Sequence, residues 1–202
     1  MRWQEEAETR WSNDNGICYN VGDKGAYGVK FYYYWLAVFV LVVDYASKKW
    51  VEHSLAMYET KHVLGDFFII TSIRNKGAAF SILQEKRTLF LIITLIVVAG
   101  IVWYLMKNRK SGKVLLLSGL GLVLGGAVGN FIDRLLYGEV VDFLQFTFGS
   151  YVFPIFNLAD SGICIGVGMI LLDALLTSKN ENGDSNSNGQ ERNESEGHQF
   201  IQ

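Results

Sequence analysis

Gly125-Gly126-Ala127-Val128-Gly129-Asn130-Phe131-Ile132-Asp133-Arg134 closes an apolar run that begins at Val114. A carboxylate at the end of such a run needs a reason. An aspartate inside a membrane helix costs about 2.5–3.5 kcal/mol at the bilayer centre on insertion scales, so such residues face a bundle interior or water and carry function. Gly121, Gly125 and Gly129 form two overlapping Gly-x-x-x-Gly pairs, a spacing that lets helices approach closely whatever the protein does. The stretch reads as a transmembrane helix, Val114 to about Phe131, that delivers Asp133 at its end.

Three further spans lie on either side. Thr88 to Met106 runs 19 residues without a charge, enough to cross a hydrocarbon layer of about 30 Å. Lys107, Arg109, Lys110 and Lys113 follow it and mark a cytoplasmic loop. Ile155 to Thr177 forms the last span. Phe31 to about Ser47 forms the first, with Tyr and Trp at its start where an interfacial belt belongs. It is short, so Asp44 and Lys48 are expected within its last turns. They sit four apart on one helix face, either as a local ion pair closing the helix or as support for a site.

No Lys or Arg occurs between Leu135 and Thr177, which places that loop outside and both termini in the cytoplasm. The basic residues between the first two spans argue the other way, and the compact 107–113 cluster is weighted more. In that region Phe67 to Ile73 is β-branched and aromatic and runs into Arg74-Asn75-Lys76-Gly77, a strand followed by a turn. Gly138 to Phe153 carries five aromatic residues and is expected as a loop resting on the lipid interface, with Asp142 a solvated or loop-ordering charge.

The expected fold class is thus an all-α membrane protein. It has four transmembrane helices, a small extracytoplasmic β-sheet between helices 1 and 2, and an aromatic interfacial loop between helices 3 and 4. Residues 1–30 are expected as a disordered polar extension, 31–177 as the membrane domain and 178–202 as a disordered tail. The first apolar run lacks a small-residue cleavage site and acts as an uncleaved span.

Composition narrows the chemistry. The 202 residues are 50% hydrophobic with a net charge of −2, which leaves no basic face for nucleic acid. Cys18 and Cys164 suggest neither a disulfide framework nor a zinc site. His53, His62 and His198 lack ligand spacing, so no metal or other cofactor is expected.

The topology brings polar residues together. Asp133 ends a helix rising from the cytoplasm, and Asp160 lies in the first turns of one descending from outside. Asn130 precedes Asp133 by three and Arg134 by four; Asn157 precedes Asp160 by three. Asp44, Lys48 and the Asn75 turn arrive at the same level. Two carboxylates close together in a partly desolvated site share a proton, and one can then activate water while the other protonates a carbonyl. Two other readings stand beside this one: Asp133 paired with a cation while Asp160 caps its helix, and a proton or ion path through the bundle.

At these residues the chain resembles the lipoprotein signal peptidases, the bacterial signal peptidase II family. The matching blocks are Asn75-Lys76-Gly77-Ala78-Ala79-Phe80, the Gly125–Arg134 stretch, Val140-Val141-Asp142-Phe143 and Phe156-Asn157-Leu158-Ala159-Asp160. The likeness covers about Phe31 to Thr177. It implies a monomeric aspartic peptidase of the inner membrane that takes diacylglyceryl-modified prolipoproteins laterally from the membrane lipids and cuts before the lipidated cysteine. Carried over by motif, Asp133 and Asp160 are the catalytic pair, with Asn75, Asn130, Arg134 and Asn157 shaping the site. The first-span block, Asp44-Tyr45-Ala46-Ser47-Lys48, departs from the family's more usual Gln and Thr at its second and fourth positions but keeps Asp44 and Lys48.

Overall fold

The computed structural model describes residues 31–77, 87–108 and 113–197, with side chains described as far as Ser178. Expectations for residues 1–30, for Ala78-Ala79-Phe80 and for the side chains of the 178–202 tail lie outside that range. In chain order the elements are α1 (Tyr32–Ser54), β1 (Thr60–Leu64), β2 (Phe68–Asn75), α2 (Arg87–Lys107), α3 (Val114–Leu136), β3 (Val140–Phe148), β4 (Tyr151–Val152) and α4 (Leu158–Gly197).

Among the described residues, three helical segments are long and apolar enough to cross a membrane: Arg87–Lys107, Val114–Leu136 and Leu158–Ser178. Their surroundings differ sharply. In α3, 61% of the span is buried, against 11% in α2 and 11% in the α4 segment, so α3 is the axis and the others present apolar side chains outward. Large exposed residues such as Trp35, Phe39, Ile96, Trp103 and Leu175 suit lipid rather than water.

Glycine lets α3 serve as that axis. A Cβ at Gly121 or Gly125 would strike the Tyr33 or Ala37 carbonyl of α1, and one at Gly126 would strike the Ala159 carbonyl of α4. The two neighbours press on adjacent faces. Gly125→Val is therefore expected to force α1 away from α3, costing about 1–3 kcal/mol or more; a lowered melting temperature in detergent is the check, and an unchanged one would refute the close packing.

α1 carries Asp44, Lys48, Lys49 and Glu52 and is not among the apolar segments. It extends seven residues beyond the expected end at Ser47, so Asp44 and Lys48 lie in the helix interior. The extension has a packing cause. Val51 and Leu55 are buried against Val141 and Phe143 of β3, and that apolar contact outweighs the charges at Lys49 and Glu52.

The larger departure is the sheet. β2 forms as expected, but Gly138 to Phe153, expected as an interfacial loop, supplies β3 and β4 of an antiparallel sheet ordered β1-β2-β3-β4. Its aromatic residues pair across strands: Phe68 stacks on Phe146 with centroids 4.8 Å apart, and Phe146 stacks on Phe156 at 5.9 Å. Such cross-strand pairs stabilise a sheet directly. The β2–β3 register shifts between Ile70 and Ile73. A bulge of this kind bends the strand and re-aims its side chains, here just before Asn75.

Candidate active site

The start of α4 organises the polar residues. Asn157 precedes the helix, and its Oδ1 accepts the Asp160 N–H at 2.9 Å while Asp160 Oδ2 accepts the Asn157 N–H at 3.3 Å. This reciprocal capping box occupies two donors that a helix start leaves open. Asp44 Oδ1 takes a third, the Ala159 N–H, at 2.8 Å. Asp160 does cap its helix, in agreement with one of the sequence readings, and its other oxygen, Oδ1, accepts from Asn130 Nδ2 at 2.8 Å.

Behind Asp160 lies a buried cation. Lys48, 3% exposed, donates to Asp44 Oδ2 at 2.7 Å and Asn130 Oδ1 at 2.9 Å. Its Nζ also lies 2.7 Å from Asp133 Oδ2, a close ion pair without hydrogen-bond alignment. One ammonium thus joins α1 to α3, and Asn130 passes the connection on to α4. Gly129 makes room for it, since a Cβ there would lie 2.8 Å from Asp44 Oδ2.

Asp142 is the residue that sequence reasoning missed. It is 4% exposed on β3 rather than solvated in a loop, and its two oxygens accept from Asn157 Nδ2 at 2.7 Å and Asn75 Nδ2 at 2.8 Å. Burial pushes its carboxyl up to about 6; the Asp160 charge pushes the same way, while the Asn75 and Asn157 hydrogen bonds and Lys48 oppose it. Asn75 is held in turn, its Oδ1 accepting the Gly77 N–H at 2.9 Å.

A cavity of about 430 Å³ opens on this network, with Asn75, Asn130, Arg134, Asp142 and Asp160 as polar walls and the 153–156 segment, Ile163 and Cys164 completing it. Asp142 and Asp160 both face it. Asp133 does not: of the expected pair, only Asp160 reaches the cavity, and Asp133 is turned toward Lys48. Asn157, Asp44 and Lys48 stand behind the walls as supports. Arg134 spans the cavity edge, donating through Nη2 to the Gly77 carbonyl at 3.1 Å with its guanidinium 5.2 Å from the Phe90 ring centroid. Among the described residues, no three His, Cys, Asp or Glu side chains gather as a metal site requires.

A small, mostly apolar cavity faced by two carboxylates and by Asn75, Asn130 and Arg134 has the chemistry for proton transfer to and from a bound amide. Known proteins identify the family. A family model described as signal peptidase (SPase) II matches residues 36–176. A lipoprotein signal peptidase of Bacillus pumilus (strain SAFR-032) is 45% identical over 148 residues, covering 73% of this chain and 95% of that protein. Two solved bacterial membrane enzymes share the architecture. One, at 2.3 Å resolution, has a TM-score of 0.69 and 38% identity over 76% of this chain and 91% of its own. The other, at 1.9 Å, has a TM-score of 0.65 and 39% identity over 73% and 93%. With the match running from α1 through the α4 span and taking in every wall of the cavity, this chain belongs to the signal peptidase II family and is a peptidase.

Proposed function

We propose that the protein is a membrane-embedded aspartic endopeptidase that removes signal peptides from diacylglyceryl-modified bacterial prolipoproteins, cutting before the lipidated cysteine. α1 joins the three apolar helices as a fourth span in the cytoplasmic membrane. Both termini lie in the cytoplasm, the cavity lies near the outer face, and the enzyme acts as a monomer. The family and the lipoprotein signal peptidase relative support the substrate.

The reading of the chemistry rests on one observation: Asp142 and Asp160 face the same cavity. The working pair is Asp142 with Asp160, and Asp133 serves through Lys48. Asp160, at a helix N-terminus and accepting two N–H groups, is suited to act as the carboxylate that takes a proton from water. Asp142, whose carboxyl is pushed up to about 6, supplies the proton to the scissile carbonyl oxygen. The water oxygen bonds to the carbonyl carbon, the proton gathered on Asp160 passes to the leaving nitrogen as the C–N bond breaks, and the proton lent to the carbonyl oxygen returns to Asp142 as the gem-diol collapses to the acid. Arg134 and the Asn75 and Asn130 amides at the walls are placed to hold the peptide carbonyls.

The sign of the pH dependence follows. An acid with a raised pKa holds its proton below that value and loses it above. In vesicles carrying a lipidated prolipoprotein, kcat/KM should fall by about tenfold per pH unit above roughly 6. A rate that climbs steadily from pH 6 to 9 would refute the assignment. No cleavage at all, with voltage-driven ion flux in its place, would refute the peptidase reading.

A further inference from the structure

A second cavity, of about 650 Å³, adjoins the first and shares Asn75, Asp142 and the 153–155 segment with it. Its other walls come from the sheet and its turns, chiefly Tyr58, Arg74, Lys76, Glu139 and Val152. The two spaces meet at Asn75, Asp142 and the 153–155 segment and differ in their remaining walls. The first reaches along α4 to Ile163 and Cys164, whereas the second, among the described residues, has no wall from any of the four helices.

A chain cut between two such spaces leaves the site in two directions. Its apolar signal segment matches the helix-lined side. The segment after the cut has to reach water, and the sheet-lined side is charged. Arg74 supplies the recognition chemistry there. Its Nη2 lies 3.3 Å from Glu52 and its Nε 3.7 Å from Glu139, so the guanidinium is held from two sides. Its Nη1 is buried without a hydrogen-bond partner among the described residues. A donor fixed and left open in this way suits a peptide carbonyl oxygen. The rim also holds Tyr58 at φ +67°, its N–H donating to the Ser72 carbonyl at 2.8 Å; a non-glycine residue in the left-handed region marks a segment held in one shape by its surroundings.

We propose that this second cavity binds, in extended form, the polypeptide that follows the scissile bond, with Arg74 Nη1 donating to one of its carbonyl oxygens. The assignment rests on the endopeptidase reading above. The test compares two lipidated peptides in detergent micelles, one ending in an amide at the modified cysteine and one extended by several residues. The unaltered enzyme should show a KM about tenfold lower for the extended peptide, the effect of one charge-assisted hydrogen bond and some apolar contact. Arg74→Met, which removes the donor, and Val152→Trp, which fills the space, should each bring the KM ratio toward one. Equal KM values in the unaltered enzyme would overturn the subsite alone, as would a ratio that survives both substitutions. Failure to cleave either peptide would overturn the endopeptidase reading and the subsite with it.

Discussion

Asp142→Asn is expected to slow cleavage of a lipidated prolipoprotein by about 10²–10⁴-fold, the range over which a positioned general acid or base contributes. The protein should remain folded and inserted. Asp160→Asn should do the same, because an asparagine at that position keeps an oxygen for the Asn157 N–H and preserves the cap while losing the basic carboxylate. The informative contrast is Asp133→Asn. If Asp133 acts only through Lys48, the folded fraction of that variant still cleaves. If it belongs to the reacting pair, as the sequence suggests, it is as inactive as Asp160→Asn and Asp142→Asn is spared. Processing assays on the three variants, each with a melting curve in detergent, separate the two outcomes.

The second large effect is on folding. Lys48→Met removes a buried cation that faces Asp44 Oδ2, Asn130 Oδ1 and Asp133 Oδ2. Taking one partner from a buried ion pair costs about 3–5 kcal/mol, since the remaining charge has no compensation. Here two carboxylates are left. Against a whole stability of about 5–15 kcal/mol, the variant is expected to be recovered largely unfolded or degraded. Adding Asp44→Asn and Asp133→Asn removes both stranded charges, and the asparagine oxygen introduced at position 44 can still accept the Ala159 N–H. The triple variant should regain most of the lost stability, with strong non-additivity across the cycle. A single Lys48→Met variant as stable as the unaltered protein would show that the cluster does not hold α1, α3 and α4 together.

The spans of α2, α3 and α4 are legible because long, strongly apolar runs have few alternatives, and β2 because its β-branched residues end in a turn. Two things are not. Val140 to Phe148 reads as an interfacial loop because aromatic density suits a bilayer surface as well as a sheet, and only the pairing with β2 separates them. The end of α1 reads short because Lys48, Lys49 and Glu52 ordinarily close a span, whereas here Val51 and Leu55 bind it to β3.

The site residues divide in the same way. Asp160, Asn130, Asn75 and Arg134 meet at one cavity as expected, because helix spacing and topology govern their level. Asp142 escapes notice when the cost of burying charge is weighed only within helices, since a carboxylate between helices raises no alarm. A signal is nonetheless present. Val140-Val141-Asp142-Phe143 sets one carboxylate in an apolar, β-branched run, and a strand buried at Val140, Val141 and Phe143 buries Asp142 as well.

The capping box at the start of α4 has a bearing on how such an enzyme can change. Active-site residues are commonly a burden on the fold, so that replacing them makes a protein firmer and less useful at once. Asp160 reverses this relation for every replacement that lacks the capping oxygen, because the carboxylate placed to take a proton from water also begins a helix. Drift to such residues weakens the fold together with catalysis, whereas asparagine loses the chemistry and keeps the cap. Cellular quality control therefore removes the variants that lack the cap before any substrate is lost.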